Sequence, residues 1–163
     1  MIIVTAPDEI DDFERPAIFL GGGITGAPLW QPEAAKLLSG TFATCFNPRR
    51  AEAFVPPGHP EYQQRYEEQV RWEHKYLLAA DVVLFWMPKA AICITTRFEI
   101  GWWYGMNFQA GKSARPFAVG IEPGVSGDTY YRVVLPESGV PVHTTLEATC
   151  EWACRQMSLG REV

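Results

Sequence analysis

The chain has 163 residues, of which 47% are hydrophobic and 20% are charged, and its formal net charge at pH 7 is -5. This length and balance predict one ordered globular domain spanning residues 1–163, and the negative charge argues against a nucleic-acid polymer as partner. The sequence has no run of about 18 apolar residues and no basic start before a long apolar stretch, so we expect no membrane association and a cytoplasmic protein.

The first half of the chain reads as strand, helix, strand, helix. A short buried strand over Ala17–Leu20 runs into the glycine loop "GGGITG", and a helix is predicted from about Trp30 to Leu38. The stretch "FATCFNPRR" predicts a second strand that ends near Asn47. Residues 51–60 contain three prolines and a glycine and predict a loop, whereas Tyr62–Ala80 has neither residue type and predicts a long helix.

The second half continues the alternation. The continuous apolar run "DVVLFWMP" is typical of a strand that is covered on both faces. The further predicted elements are a loop over Lys89–Thr95, a helix over Thr96–Gln109, a strand in "PFAVGIEP", a short fifth strand in "VPVHT" and a final helix over Leu146–Leu159. Residues 124–139 are ambiguous, and the opening "MIIVTAP" is compatible with an extra edge strand.

This order of elements predicts an α/β fold, a flavodoxin- or Rossmann-like doubly wound parallel sheet of about five strands with helices on both faces. Ligands bind such sheets at the carboxyl ends of the strands, where the strand order reverses. If the strand at Ala17–Leu20 lies beside the strand in "DVVLFWMP", the loops "GGGITG" and "KAAICITT" flank that crevice. The second loop leads directly to Glu99.

Glu99 is a single acid in the aromatic stretch "TTRFEIGWWYG". A buried, unpaired carboxylate costs several kcal/mol unless its pKa shifts or it finds partners. We expect Glu99 in the first turn of a helix, where the helix N-terminus favours an ionised carboxylate, as a nucleophile requires. The alternative is a surface acid in an apolar neighbourhood.

Glu73 is a second acid with an unusual position. The long helix carries an apolar stripe, and Glu73 falls on it at helical spacing between Val70 and Tyr76. The predicted stripe consists of Tyr62, Tyr66, Val70, Tyr76, Leu77 and Ala80. Glu73 is therefore expected to face inward, either pairing with Arg49 or Arg50 or pointing at a ligand close to Glu99.

A set of short motifs, taken in order, resembles the nucleoside 2-deoxyribosyltransferase-like family. The motifs are "IFLGGGI", "WQ" at residues 30–31, "NPRR" at 47–50, "QVRWE" at 69–73, "ADVVLFW" at 80–86 and "FEIG" at 98–101. The resemblance implies that Glu99 is a nucleophile and that Glu73 recognises the nucleobase. It implies cleavage or transfer at the N-glycosidic bond of a nucleoside or nucleotide, through a glycosyl-enzyme intermediate, without a cofactor.

The sequence departs from the family pattern at three places. Cys93 stands where the transferases carry an aspartate six residues before the nucleophile, and Phe19 matches a tyrosine that orients the nucleophile. The asparagine that many members carry near the C-terminus has no equivalent after Asn107. Hydrolase and transferase therefore both stay open, and the alternative from another class is a nucleotide-binding sensor or accessory protein without turnover.

Several further residues are candidates for substrate binding. Gly21, Gly22 and Gly23 would let the backbone approach a ligand, although consecutive glycines also simply make turns. Arg49 would contact a phosphate or an acidic side chain, or would be solvated. Thr95 and Thr96 open the Glu99 helix, where one is expected to be the N-cap and a phosphate could bind the same helix end.

The cysteines and histidines are not spaced like the ligands of a metal ion. The four cysteines form no C-x-x-C pair and the three histidines are scattered, so no metal site is predicted.

Residues Thr96–Gln109 are apolar nearly all round, which one sheet face cannot bury. The list of apolar positions is Ile100, Trp102, Trp103, Tyr104, Met106 and Phe108. We expect a homodimer or a higher homo-oligomer that uses this helix.

Overall fold

The structure is a computed structural model that describes residues 1–111 and 115–159. Its strands are β1 (Ile2–Thr5), β2 (Ala17–Gly22), β3 (Thr44–Asn47), β4 (Val82–Met87), β5 (Phe117–Ile121) and β6 (Val142–His143). Its helices are α1 (Gln31–Leu38), α2 (Tyr62–Ala79), α3 (Ile94–Ala110), α4 (Thr129–Glu137) and α5 (Leu146–Leu159).

The six strands form one parallel sheet in the order β1-β3-β2-β4-β5-β6. The predicted α/β fold with a parallel sheet is confirmed, with six strands instead of about five. The additional strand is β1, which the apolar opening of the chain made possible and which pairs with β3 at the sheet edge. The ambiguous region contains α4.

Helices cover both faces of the sheet because the side chains of the central strands alternate. On β4, Val83, Phe85 and Met87 pack in one core cluster with residues of α2 and α3. The intervening Leu84 and Trp86 pack in a second cluster with residues of α1 and α5. The strand is buried along its whole length, as the continuous apolar run predicted.

The strand order reverses between β2 and β4. The chain leaves β2 to form β3 on one side, then returns to form β4 on the other side, in register from Ile18 opposite Val82 to Gly22 opposite Trp86. The predicted neighbourhood of these two strands is therefore confirmed. Their carboxyl ends lead into the loops before α1 and α3, which places a ligand crevice of the usual α/β kind at this point.

The start of α3 differs from the prediction. The helix begins at Ile94, two residues earlier than expected, and its N-cap is Cys93, whose φ of 55° lies in the left-handed region. Neither Thr95 nor Thr96 is the cap. Glu99 consequently lies in the second turn of α3, beyond the range in which a helix N-terminus acts most strongly on a charge.

The buried face of α2 is also rotated from the predicted stripe. Tyr66 and Val70 are exposed, and the buried residues are Gln69, Trp72, Tyr76 and Leu77. The reason is that the loop over 51–60 offers no core for the first two turns of the helix to pack against. Its Phe54 instead contacts the rings of Tyr62 and Tyr66 edge-on from a position near the surface.

α3 presents its bulky residues to two environments. Ile100 and Trp103 are buried against the sheet, and Trp102, Tyr104 and Met106 are half-buried. Phe98 and Phe108 are 71% and 78% exposed. Two of the six predicted residues are thus core, and Phe108 is exposed together with Phe98, which was not among the six.

Among the described residues, no helix combines the length and apolar character needed to cross a membrane.

Candidate active site

Glu99 on α3 and Glu73 on α2 are half-buried on the same face of the sheet. Burial, and after it the negative charge of Glu73, raises the pKa of Glu99 to about 8. The structure therefore brings together the two acids that the sequence singled out. The negative charge of Glu73 thus adds to burial in favouring the protonated form of Glu99.

The two acids differ in what acts on their pKa values. Withdrawal from water also raises the pKa of Glu73, but the Gln69 amide and the charge of Arg50 act in the opposite direction. Glu99 has no such opposing influence. Burial thus favours the protonated form of Glu99, whereas the helix N-terminus was expected to keep it ionised.

Gln69 connects Glu73 to the β3–α2 segment. Its Nε2 donates hydrogen bonds of 2.8 Å to the Glu73 carboxylate and 2.7 Å to the Pro48 carbonyl. Its Oε1 accepts a hydrogen bond of 2.6 Å from Arg50 Nε. The predicted pairing of Glu73 with an arginine is therefore indirect: within the described ranges the two make no ion pair, and Gln69 stands between them.

Arg50 lies between Gln69 and an aromatic ring. Its guanidinium carbon is 5.9 Å from the centre of the Phe54 ring, and Phe54 in turn contacts Tyr62 and Tyr66. Its Nη2 atom is buried and finds no hydrogen-bond partner in the part of the chain that the structure describes. Arg50 thus keeps a donor unused beside the second acid.

Arg49 serves a different purpose from its neighbour. Its Nη1 donates to the Pro28 carbonyl at 2.9 Å and to Gln31 Oε1 at 3.3 Å, and its Nη2 donates to the Ala27 carbonyl at 3.1 Å. These bonds fasten the loop between β2 and α1. The predicted contact of Arg49 with a phosphate stays a prediction, and the observed partners give the side chain a structural role.

The glycines at the end of β2 are explained by close packing against protein atoms. A Cβ on Gly22 would lie 2.4 Å from the Trp86 carbonyl oxygen, and one on Gly23 would lie 2.8 Å from Cys93 Sγ. A Cβ on Gly21 would similarly meet the ring of Phe85 at 2.7 Å. The glycines allow the β2 end to approach the loop before α3. Contact with a ligand stays a prediction.

Cys93 brings no charge to the site. Its Sγ lies 3.6 Å from the Ala91 carbonyl, and burial raises the pKa of the thiol. The side chain is buried at the turn where the loop enters α3. A neutral thiol therefore stands at the position of the acid in the family pattern.

The other predicted contact residues have mixed positions. Phe19 is buried in the core, with its ring 6.4 Å from that of Trp72. Thr96 is buried and Thr95 is exposed. Phe19 therefore packs between the sheet and the helices α2 and α3. The binding roles of both threonines stay predictions.

Comparison with known families settles which group the chain belongs to. A family model described as nucleoside 2-deoxyribosyltransferase like matches residues 15–110, more than half of the chain. This protein is a member of that family. The match runs from the residues before β2 to the end of α3, so it contains Glu73, Glu99 and every other candidate residue. No curated protein matched the chain.

The family assignment agrees with the donor set of the site. The matched residues include both acids and the strands β2 and β4 between which the strand order reverses. Across the described residues, no group of three or more histidine, cysteine, aspartate or glutamate side chains is arranged to hold a metal ion.

The role of Gln69 escaped the sequence analysis. Gln69 and Glu73 are four residues apart, a spacing at which helical side chains contact each other, so the pair was open to prediction. The bond from Gln69 to Arg50 was not, because it depends on where the loop after β3 crosses α2.

Proposed function

We propose that this protein cleaves or transfers at the N-glycosidic bond of a nucleoside or nucleotide, with Glu99 as nucleophile and Glu73 as the acid that serves the base. The observation that carries this proposal is that Glu99 and Glu73 are both half-buried on helices of the same sheet face, and that the charge of Glu73 acts on the Glu99 carboxyl group. The family match supports the reaction class.

A pair of acids with one proton suits this reaction. The nucleophile must be ionised, and the leaving base must receive a proton or a hydrogen bond. Moving the proton from Glu99 to Glu73 produces that arrangement without any exchange with solvent. The Gln69 amide and the Arg50 charge lower the pKa of Glu73 against the effect of burial, which favours its ionised form before a substrate binds.

The first chemical step joins Glu99 to the sugar. A carboxylate oxygen forms a bond to C1′ as the bond from C1′ to the base nitrogen breaks, and the electron pair of that bond stays with the base. The base takes the proton from Glu73. In the second step water or another base attacks C1′, the Glu99 ester bond breaks, and the proton of the attacking group passes to Glu73. Water gives hydrolysis and a base gives transfer.

A nucleoside and nucleotide panel tests the proposal. Release of free base is measured with and without an acceptor base, using the wild-type protein, Glu99→Gln and a control, Glu68→Gln, which alters an exposed acid on α2. Turnover should fall by several orders of magnitude in Glu99→Gln and stay at the wild-type level in Glu68→Gln. Near-normal turnover in Glu99→Gln would contradict the covalent mechanism.

A second candidate, a nucleotide-binding sensor without turnover, is favoured by one observation. Cys93 offers a buried, neutral thiol where the family pattern has an acid. If that acid is indispensable, the crevice binds a nucleotide and does not process it. Binding measured by calorimetry, combined with no base release over long incubation, would support this function.

A further inference from the structure

Five buried side-chain atoms find no hydrogen-bond partner within residues 1–111 and 115–159, and one of them belongs to the arginine whose charge acts on Glu73. They are Gln31 Nε2, Arg50 Nη2, Trp103 Nε1, Asn107 Nδ2 and His143 Nε2. An unused buried donor is unfavourable, more so where it carries charge, so each such atom in a stable protein needs an explanation. Arg50 is the charged member of the set.

The remainder of the Arg50 side chain is held in place. Its Nε donates to Gln69 Oε1 at 2.6 Å, and its guanidinium lies 5.9 Å from the centre of the Phe54 ring. Its charge acts on the Glu73 carboxyl group and lowers the pKa of that group against the effect of burial. Gln69 therefore hydrogen-bonds to both an arginine and an acid, and the Nη2 of that arginine has no partner within the described residues.

Such a pair has a definite complement. Ionised Glu73 only accepts hydrogen bonds, and the Arg50 guanidinium only donates them. Together they match a ligand edge on which an N–H donor stands next to an acceptor. A carbonyl oxygen suits Arg50 because it offers two lone pairs and projects beyond the ring, whereas an amino group at that place would set donor against donor.

We propose that Arg50 is a specificity-determining residue that binds the carbonyl oxygen of an oxopurine or oxopyrimidine base whose adjacent N–H is bound by Glu73. This inference rests on the proposed function and names the class of base within it. An oxo base that departs from the sugar gathers negative charge on that oxygen. A guanidinium placed against it stabilises the leaving group as the C1′–N bond breaks.

The test compares bases that differ by one oxygen. Binding of hypoxanthine and purine, and of uracil and pyrimidin-2-one, is measured by titration calorimetry with the wild-type protein, Arg50→Met and Arg71→Met. The last variant is the matched control, because Arg71 is an exposed arginine on the same helix as Glu73. Free bases carry no sugar, so no turnover disturbs the measurement.

For at least one of the two pairs, the wild-type protein and Arg71→Met should bind the oxo base about tenfold or more tightly than its partner. In Arg50→Met this preference should fall by about fivefold or more, and the remainder comes from the lactam N–H that Glu73 binds and the partner base lacks. A merely structural role for Arg50 would weaken both members of a pair alike and leave the preference unchanged. Arg50→Lys, which keeps the charge and loses the planar fork, should show a reduced preference and replaces Arg50→Met if that variant does not fold.

Three results would overturn the inference. They are a wild-type preference near one for both pairs, a preference that persists in Arg50→Met, and no binding of either oxo base to the wild-type protein. Base release from nucleosides by the wild-type protein and Glu99→Gln is a separate measurement. It shows whether the proposed function stands when the assignment of Arg50 fails.

Discussion

Glu73 places its negative charge where it raises the pKa of Glu99, and burial carries that pKa to about 8. Burial raises the pKa of Glu73 as well, so the two carboxyl groups titrate as one coupled pair. A pair that must hold one proton for catalysis loses activity in two ways: by gaining a second proton in acid, and by losing its last proton in alkali.

The first prediction is a bell-shaped dependence of kcat/KM on pH. On the alkaline limb kcat/KM should fall near pH 8, where the pair loses the proton that it donates to the leaving base. In Glu73→Gln the alkaline limb should disappear. The acid limb of that variant should report the ionisation of Glu99 alone, at a pKa below 8 because the neighbouring charge is gone. A wild-type rate that keeps rising above pH 8 would show that no shared proton is needed.

The second prediction concerns stability. The pKa of Glu99 is about 8 in the folded protein against 4.5 as its ordinary value, so the unfolded chain ionises first as pH rises. Stability from this group is therefore complete below pH 4.5 and is lost progressively up to pH 8. One pKa unit corresponds to about 1.4 kcal/mol, and partial exposure reduces the effect, so the loss at pH 7 should be on the order of 2–3 kcal/mol.

Glu99→Gln removes this loss because glutamine does not ionise. Its Tm should exceed that of the wild type by roughly 5–10 °C at pH 7 to 8, and the difference should shrink toward zero near pH 4.5. Calorimetric melts at a series of pH values measure it, with Glu68→Gln as the control that changes an exposed acid. An equal Tm difference at every pH would mean that packing, not ionisation, separates the variants.

Part of this arrangement was predictable from the sequence. Glu99 and Glu73 stood out because each is a single acid in an otherwise apolar pattern of the sequence. The continuous apolar run of β4 and the proline-free span of α2 likewise determined those elements nearly to the residue. Parallel strands in alternation with helices left few topologies, which made the crevice between β2 and β4 predictable.

Other features depend on tertiary contacts that no local pattern records. Cys93 adopts a left-handed conformation and starts α3 early, although two threonines nearby are better caps by residue type. The balance of burial against Gln69 and Arg50, which decides the pKa of Glu73, exists only in the folded chain. Tyr66 is exposed because the loop beside it provides no core.

The third prediction separates the catalytic from the structural role of Glu73. Its carboxyl group is half-buried and bonded to Gln69, but it makes no direct ion pair within the described residues. Glu73→Ala removes a repulsive charge beside Glu99, so the Tm at pH 7 should change by only a few degrees in either direction. Turnover should fall by about 100-fold or more, as for loss of a general acid.

Thermal melting and turnover of Glu73→Ala are measured on the same preparation. Breaking a buried ion pair would instead cost about 3–5 kcal/mol, which a melt detects readily. A large drop in Tm with substrate affinity retained would mean that Glu73 is structural and that the second acid is elsewhere.

The last prediction is a homodimer formed through α3. Ile94 and Phe98 precede Gly101 and Gly105, and Phe108 follows, at alternating spacings of four and three residues that keep all five on one side of the helix. The three bulky side chains are more than 70% exposed, and a Cβ added to either glycine would meet nothing within 4 Å. Two copies of this stripe can approach closely at the glycines and cover the aromatic rings on either side, in an isologous contact.

Light scattering at micromolar concentration should give the mass of a dimer for the wild type and of a monomer for Phe98→Lys. Val133→Lys, which changes an exposed apolar residue on α4, should remain dimeric. A monomeric wild-type protein would rule out this interface, and a dimeric Phe98→Lys would place it on another surface.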